Sequence, residues 1–372
     1  MIYLDYSATT PVREEVLDTF TKVSKDFIGN PNSLHKLGVY AKKIIDASTE
    51  QIKKILNIEH EVIYTSGASE SNNTALKGVA SRYKRLGNHI ITTNFEHSSI
   101  VAPLNYLQKQ GFKVDFAPLD SNGLVDVNKL KEMITDETIL VSIGAVNSEI
   151  GIREPIEEIG LMLKEFPNTI FHVDATQAIG KVNIDLSNAD LVSMSAHKIY
   201  GVKGIGLLLR KPNIDIEPLI HGGKSTTKYR SGTPATALIA SLAKALRLIY
   251  EDFDKKYNHV KEMNDYLVSK LSEIDGIVIN NNEYTIPHIL NMSVLGIKPE
   301  TFQHALEEKE IYISTQTACS SGSGISPSVM EFTHSEERAS SSVRISLSYL
   351  TTKEEIDEAI KAIIECKERL SL

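Results

Sequence analysis

Between residues 61 and 210, short apolar runs alternate with amphipathic stretches, and this alternation constrains the fold more than any other feature. The apolar runs predict buried strands, and the stretches between them have helical spacing. The predicted strands are EVIYTSG, HIITTN, KVDFAPL, TILVSIGAVN, TIFHVDA, DLVSMSA and GIGLLLR. The predicted helices cover residues 69–86 with Ser69 as N-cap, 97–110, 126–134 and 154–166. Such an order predicts an α/β fold with a mainly parallel sheet covered by helices on both faces, although it does not give the strand order.

The pattern changes after a helix predicted at 236–253. A helix at 258–274, the strands GIVIN, HILNMSV and VRISLSY, and a helix at 353–370 predict a smaller α+β domain at the C-terminal end. A chain of 372 residues is long enough for two domains. We therefore expect a large domain at 13–253 and a small domain formed by 254–372 together with residues 1–12.

Charge, hydropathy and cysteine content exclude several classes of function. The net charge of −8 disfavours direct, non-specific binding to nucleic acid. The longest apolar stretch, 138–146, is far shorter than the ~20 residues of a membrane span, and the N-terminus lacks the pattern of a signal peptide. The cysteines, Cys319 and Cys366, form neither a disulfide framework nor a zinc site. We expect a cytoplasmic enzyme with no membrane or direct nucleic-acid contact and no metal.

Polar residues follow several predicted strands, at 65–69, 96–97, 147, 174–177 and 195–198. Ligands of open parallel sheets bind beyond the carboxyl ends of the strands, so these residues are candidates for a site. The first group, TSGAS, opens a helix, whose free N–H groups and positive dipole end suit a phosphate. An ordinary strand-to-helix turn is the alternative.

Asp174 and Lys198 are the candidates for cofactor chemistry. A carboxylate at a strand end can pair with the protonated ring nitrogen of pyridoxal phosphate. A lysine in a cleft can form a Schiff base when burial lowers its pKa. Taken singly, Asp174 is better explained as a turn residue and Lys198 as a solvated side chain. Together with the TSGAS turn, they form a more specific pattern.

Three further residues have both a structural and a functional interpretation. His97, at a helix start, is able to stack on a flat cofactor and move protons, or to hydrogen-bond within its turn. Arg344, inside a predicted strand, needs a partner, either a bound carboxylate or a structural ion pair. Cys319 lies in STQTACSSGSGISPSV, whose serines and glycines predict a mobile loop with an accessible thiol. Cys366, on an amphipathic helix, is interpreted as structural.

The chain resembles the cysteine desulfurases of the NifS and IscS type, in the class V aminotransferase group of fold-type I pyridoxal-phosphate enzymes. The stretches that carry the resemblance run in order from residue 2 to about 350. They are IYLDYSATTP, GNPNSLH, TSGASESNN, EHSS, VNSEIG, HVDATQAIGK, SAHKIYGVKGIG, RSGT, TACSSGS and SSVRISLSY. The resemblance implies removal of sulfur from L-cysteine, which gives L-alanine and a persulfide on Cys319.

The resemblance also implies a role for each matching residue. Lys198 would hold pyridoxal 5′-phosphate and move the Cα proton, while Asp174 would pair with the ring nitrogen. Gln177 would hydrogen-bond the ring hydroxyl, and His97 would stack on the ring and assist proton transfer. The phosphate would be held by Ala68, Ser69, Ser195 and His197, with Thr233 contributed by the neighbouring subunit of a homodimer. The substrate carboxylate would be bound by Asn147 and Arg344.

Some questions stay open at the level of sequence. The sulfur acceptor implied by the resemblance is an iron–sulfur scaffold or a tRNA-thiolating sulfurtransferase. The alternative functions are a transaminase, a selenocysteine lyase, or an idle member that serves as a sulfur-relay scaffold. The stretch HGGKSTTKYRSGT departs from the family pattern at Lys224 and Lys228, so the contacts of that loop are not predicted.

Overall fold

The computed structural model describes residues 1–223, 225–315 and 324–371. Its strands are β1 (Ile2–Tyr3), β2 (Glu61–Thr65), β3 (His89–Thr92), β4 (Lys113–Phe116), β5 (Thr138–Gly144), β6 (Ile170–Asp174), β7 (Leu191–Ser195), β8 (Gly206–Arg210), β9 (Ile277–Ile279), β10 (Ile289–Val294), β11 (Ile311–Tyr312) and β12 (Ser342–Ser346). Its helices are α1 (Glu14–Asp26), α2 (Lys36–Leu56), α3 (Ala68–Tyr83), α4 (Ser98–Lys109), α5 (Val127–Met133), α6 (Ile156–Met162), α7 (Thr236–Tyr250), α8 (Phe253–Leu271), α9 (Pro299–Glu307), α10 (Pro327–Thr333), α11 (Glu336–Ala339) and α12 (Lys353–Leu370). No described helix is both long and apolar enough to cross a membrane.

The central sheet has the strand order β2-β8-β7-β6-β5-β3-β4. Strands β7, β6, β5, β3 and β4 run parallel to one another. Strand β8 runs antiparallel to both of its neighbours, β2 and β7. The predicted α/β class with a mainly parallel sheet is confirmed, and the order of its strands is a finding that the sequence did not provide.

Alternate residues of the strands pack into two different apolar layers. On one face, residues such as Ile63, Ile90 and Leu140 join apolar residues of α3 and α4. On the other face, their chain neighbours, such as Val62 and Val141, join residues of α1, α2, α5, α6 and α7. The inner strands of this sheet therefore have both faces buried, which explains their nearly continuous apolar sequences, whereas the edge strand β4 is partly exposed.

A second core belongs to the C-terminal part of the chain. The antiparallel sheet β12-β10-β9 packs with α8, α9 and α12, and β1 pairs in parallel with β11. Ile2 and Leu4 belong to this core together with residues from 260 onward, including Cys366. The Cys366 thiol is fully buried and donates a hydrogen bond to the carbonyl oxygen of Ala305 at 3.3 Å. The domain boundary near residue 253 stays a prediction.

Predicted and observed elements differ mainly at helix ends. Helix α3 begins at Ala68, and Gly67 is its N-cap without a side-chain hydrogen bond, so the N-cap prediction for Ser69 is wrong. The reason is that Gly67 takes the non-helical backbone of the cap position, with φ of 155°, two residues earlier than the predicted cap at Ser69. Helix α8 likewise begins five residues before the predicted start at 258.

The loop that departs from the family pattern contacts helix α3 through Asp215 and strand β8 through Tyr229. The Tyr229 hydroxyl donates to the Asp215 carboxylate at 2.9 Å, and Lys228 and Arg82 form ion pairs with it at 3.3 and 2.9 Å. The Arg210 guanidinium lies 4.2 Å from the centre of the Tyr229 ring. These contacts hold the part of the loop that contains Lys228 and Tyr229. Lys224 itself lies outside the described residues.

We expect Gly206→Ala to destabilise the fold. A Cβ at this position would lie 2.5 Å from the carbonyl oxygen of Met194 and 2.6 Å from the Cα of Gly67, so backbone would have to move. Overpacking of this kind costs about 1–3 kcal/mol. Thermal unfolding should show a Tm several degrees below that of wild type. The matched control is Gly223→Ala, where no atom lies within 4 Å of the added Cβ, and equal Tm values for the two variants would contradict the expectation.

Candidate active site

A cavity of about 570 Å³ opens at the carboxyl ends of β2, β5, β6 and β7. Residues of the N-terminal segment and of β12 close its other side. Most of the site residues predicted from the sequence line this one cavity: Ala68, Ser69, His97, Asp174, Gln177, Ser195, His197, Lys198 and Arg344. Residues separated by up to 276 positions in the chain therefore meet at one place.

Lys198 lies in a 3₁₀ turn that directly follows β7. Its Nζ donates hydrogen bonds to the carbonyl oxygens of Ser7 and Ala8, the second at 2.8 Å. Burial is the main cause that lowers the pKa of Lys198 to about 8; the charge of Arg344 acts in the same direction, while Asp5 and Asp174 oppose the shift. About a tenth of the amine is therefore neutral at pH 7, a far larger share than for an ordinary lysine, and the neutral form is the one that acts as a nucleophile or a proton acceptor.

The N-terminal segment wraps around the Lys198 turn. Thr10 donates through its hydroxyl to the carbonyl oxygen of His197 at 2.9 Å, and the backbone N–H of Tyr200 donates back to that hydroxyl at 2.7 Å. Ser7, Ala8 and Thr9 line the cavity. The sequence analysis gave these three residues no role, although they belong to IYLDYSATTP, a stretch that carried the resemblance.

The Asp174 carboxylate ends β6 and is almost fully buried. Asn72 donates to its Oδ2 at 2.7 Å, and Thr176 donates to its Oδ1 through both the backbone N–H, at 3.1 Å, and the hydroxyl. Three donated hydrogen bonds suit an ionised carboxylate and fix its orientation. The edge of Asp174 that lines the cavity is thus a positioned negative charge.

His97 is the N-cap of α4 and is linked to Asp174 through Asn72. The His97 Nδ1 accepts the backbone N–H of Ser99 at 3.1 Å, which assigns the proton of the neutral ring to Nε2. Asn72 donates to the Ser99 hydroxyl at 2.9 Å, and this hydroxyl lies 2.8 Å from Nδ1. Desolvation lowers the pKa of His97, so the neutral ring predominates at neutral pH. Asn72, which holds both groups, was not found from the sequence.

Positive and donor groups collect at the end of the cavity nearest α3. Ala68 and Ser69 form the first turn of this helix, where backbone N–H groups lack helical partners. Burial, together with the charges of Lys198 and Lys203, lowers the pKa of His197 to about 4, so this ring is neutral. The free N–H groups of a helix N-terminus fit a phosphate dianion, and Lys203 lies on the same cavity.

Two buried carboxyl groups, Glu96 and Glu154, lie at or near the cavity. Position 96 was among the strand-end candidates but received no role, and Glu154 was not predicted. Glu96 lines the cavity and accepts hydrogen bonds from the Thr93 hydroxyl at 2.7 Å and the Gly144 N–H at 3.0 Å. Burial raises the pKa of Glu96 to about 7 and that of its neighbour Glu154 to about 8.

Arg344 faces the cavity from β12 and already has an acidic partner. Its Nη2 forms an ion pair with Asp5 at 2.8 Å, and its Nη1 donates to the carbonyl oxygen of Ser148 at 2.8 Å. Its buried Nε has no hydrogen-bond partner among the described residues. Because a guanidinium carries five N–H donors, Arg344 keeps donors for a ligand beside this structural ion pair.

Two of the remaining predicted site residues, Asn147 and Thr233, do not line the cavity. Asn147 accepts the N–H groups of Glu149 and Ile150 at 2.9 and 2.7 Å and donates to the carbonyl oxygen of Phe95 at 3.0 Å. Thr233 is exposed and lies in a separate groove. Cys319, with the mobile loop predicted around it, lies outside the described residues. The roles given to these three residues stay predictions.

The family model for aminotransferase class-V matches residues 2–359. The chain belongs to this family. Cysteine desulfurase IscS of Clostridium botulinum (strain Kyoto / Type A2) is 41% identical over 382 aligned positions, which cover 100% of this chain and 96% of that protein. Among solved structures, a NifS-like protein is 34% identical with a TM-score of 0.92, covering 100% of this chain and 99% of its own. SspA in complex with cysteine is 30% identical with a TM-score of 0.83, covering 95% of this chain and 100% of its own. The resemblance predicted from the sequence is confirmed.

For this class-V enzyme, we expect Arg344→Met to raise the pH at which Lys198 becomes reactive. Removal of the guanidinium removes a charge that lowers the lysine pKa and leaves Asp5, which raises it. Reductive methylation followed by mass spectrometry should give a midpoint near pH 8 for Lys198 in wild type and a higher midpoint in the variant. Arg153→Met, which removes an exposed arginine of an i,i+4 ion pair, is the control. An unchanged midpoint in Arg344→Met would contradict the statement that the charge of Arg344 lowers the pKa of Lys198.

Proposed function

We propose that the chain is a pyridoxal-phosphate-dependent cysteine desulfurase. The observation that carries this proposal is the meeting, on one cavity, of a buried lysine with a pKa of about 8, a positioned carboxylate and an arginine with spare donors. The three residues are Lys198, Asp174 and Arg344. Relatives named cysteine desulfurase that span the full length of the chain support the same activity.

The cavity residues fit pyridoxal 5′-phosphate. When bound, this cofactor withdraws electrons from the Cα of an amino-acid substrate. Asp174 would keep the ring nitrogen protonated, and Gln177 would donate to the ring oxygen. His97 would lie against the ring, and the first turn of α3 with Ser195 and His197 would hold the phosphate. Lys198 would be the residue that carries the cofactor.

Arg344 and Lys198 would act on the substrate itself. A guanidinium recognises a carboxylate through two parallel hydrogen bonds, so Arg344 would orient the amino acid with its Cα toward Lys198. Lys198 would then take the Cα proton, a task for which a pKa of about 8 is suitable near neutral pH. A solved structure of a relative in complex with cysteine supports this substrate.

Cys319 would receive the sulfur. Its thiolate attacks the substrate sulfur, an S–S bond forms as the C–S bond breaks, and the electron pair of the broken bond goes to the substrate carbon. That carbon takes up a proton and leaves as alanine, while the sulfur stays on Cys319 as a persulfide. The persulfide would pass to an acceptor protein, either an iron–sulfur scaffold or a tRNA-thiolating sulfurtransferase.

We expect Cys319→Ala to abolish sulfur release. Purified wild-type enzyme, incubated with L-cysteine and a thiol reductant, should make alanine and sulfide in equal amounts, and Cys319→Ala should make almost none of either. Cys366→Ala is the matched control, because this thiol is fully buried in the second core and should leave the activity intact. Equal alanine production by wild type and Cys319→Ala would exclude Cys319 as the acceptor and favour another lyase chemistry.

A homodimer is supported by an exposed apolar surface at residues 28–40. Ile28 and Leu34 are 75% and 98% exposed, and Leu37 and Tyr40 add further apolar area. Ile28 also lines the groove that contains Thr233. A second copy that covers this surface would bury these side chains, and it would bring its Thr233 toward a neighbouring phosphate site as the resemblance implies.

We expect Leu34→Glu to disrupt the dimer, because a carboxylate at the centre of an apolar interface has no partner there. Light scattering coupled to size-exclusion chromatography should give twice the chain mass for wild type and a lower mass for the variant. Leu86→Glu is the control, since Leu86 is an exposed leucine in the α3–β3 connection. A monomeric wild type, or a Leu34→Glu variant that stays dimeric, would contradict the assignment of this surface.

A further inference from the structure

Lys181 is a buried lysine whose function the proposed chemistry does not explain. It is 7% exposed, and no ion pair with a carboxylate is found for it in the described part of the chain. The charges that act on it, from Lys198 and Arg344, are positive like its own. Burial therefore lowers its pKa far below the ordinary lysine value. For folding alone, an apolar side chain would serve better at this position.

The contact that Lys181 makes is with Gln177, one helical turn earlier in the segment that follows β6. The Lys181 Nζ donates to the Gln177 Oε1. At its other end, the Gln177 Nε2 donates to the carbonyl oxygen of Ser7 at 2.9 Å. Lys198 also donates to this Ser7 oxygen. Since a carbonyl oxygen only accepts hydrogen bonds, the amide has one orientation that satisfies both ends.

This orientation decides what Gln177 offers to the cavity. Its Nε2 has two hydrogens, and the bond to Ser7 uses one of them. Its Oε1 accepts the hydrogen bond from Lys181. Gln177 lines the cavity, and the hydrogen that its amide has left for a ligand is the second one on Nε2, so we infer that it offers an N–H donor there. A donor at this place selects a ring oxygen in its deprotonated, anionic form.

We propose that Lys181 is a positioning residue that locks the Gln177 amide in this orientation, so that Gln177 recognises an anionic ring oxygen of the cofactor. The inference rests on the proposed function, because it assumes that pyridoxal phosphate occupies the cavity. Lys181 itself touches neither substrate nor cofactor; it acts through Gln177.

The fixed orientation of the Gln177 amide has a spectroscopic consequence. A hydrogen bond donated to the ring oxygen stabilises the anionic form of that oxygen. The oxygen then has a lower affinity for the proton that it would share with the Lys198 nitrogen. The visible absorbance of the bound cofactor should therefore change with pH around a lower midpoint than it would without this donor. The other groups that face Lys181 are Lys198, Arg344, His288 and Lys256, together with tyrosine phenols of the small cavity beside it. Each of these residues is kept in the test variants of Lys181.

The test is Lys181→Met in the holoenzyme, with no activity measurement needed. The absorbance midpoint should move to higher pH by about half a unit or more, and the affinity for pyridoxal phosphate should fall about 3- to 10-fold, as for one lost hydrogen bond. The Tm of the cofactor-free protein should stay equal or rise, because a buried amine is replaced by an apolar chain of similar length. A residue that is merely structural would lower the Tm and leave the midpoint in place.

Two further variants make the result decisive. Lys256→Met removes a lysine that lines the same small cavity but whose Nζ caps backbone carbonyls at the end of α7, so it should lower the Tm and leave the midpoint unchanged. Lys181→Gln keeps a donor without a charge, and it should restore the wild-type midpoint. The inference is overturned if Lys181→Met keeps the wild-type midpoint, or if Lys181→Gln behaves like Lys181→Met. If wild type takes up no pyridoxal phosphate and shows no visible band, the proposed function itself fails.

Discussion

The hydrogen bonds from the Lys198 ammonium group to the carbonyl oxygens of Ser7 and Ala8 connect the two parts of the molecule at the site. Ile2 and Leu4, a few residues earlier, belong to the core of the C-terminal part, whereas Lys198 follows a central strand of the large sheet. One segment of chain thus fixes the position of the reactive amine and of Gln177 together. A shift of the N-terminal segment would move both groups.

Removal from water shapes the chemistry of the cavity more than any single ion pair. It is the first cause of the lowered pKa values of Lys198, His97 and His197 and of the raised pKa of Glu96. At neutral pH the imidazoles are therefore uncharged and Glu96 is partly protonated. Apart from Glu96 and the imidazoles, the acidic and basic side chains among the described residues that line the cavity are Glu70, Asp174, Lys198, Lys203 and Arg344. Glu70 and Arg344 form ion pairs with Arg230 and Asp5.

The sequence predicted the fold class and most of the site because both depend on local patterns. Continuous apolar runs identify doubly buried strands, and the residues after them lie by necessity on one edge of the sheet. Asn72 and Lys181 were missed, and Glu96 was listed at a strand end without a role, because the importance of these residues comes from partners that are distant in the chain or from burial, which no local pattern reports. Asp5 was missed for the same reason, since its partner Arg344 is 339 residues away. The strand order was missed because it depends on how separate βα units pack.

The reversed direction of β8 imposes a length requirement on the chain that follows it. The strand starts at the cavity edge with Gly206 and ends at the opposite edge with Arg210, roughly 14 Å away at ~3.4 Å per residue. The chain has to travel back across this distance before Arg230 meets Glu70 beside the TSGAS turn, at 3.0 Å. The long connection between Arg210 and α7 is therefore a geometric necessity rather than a dispensable insertion. If this connection were shortened, the ion pair between Arg230 and Glu70 would be lost before the sheet was disturbed.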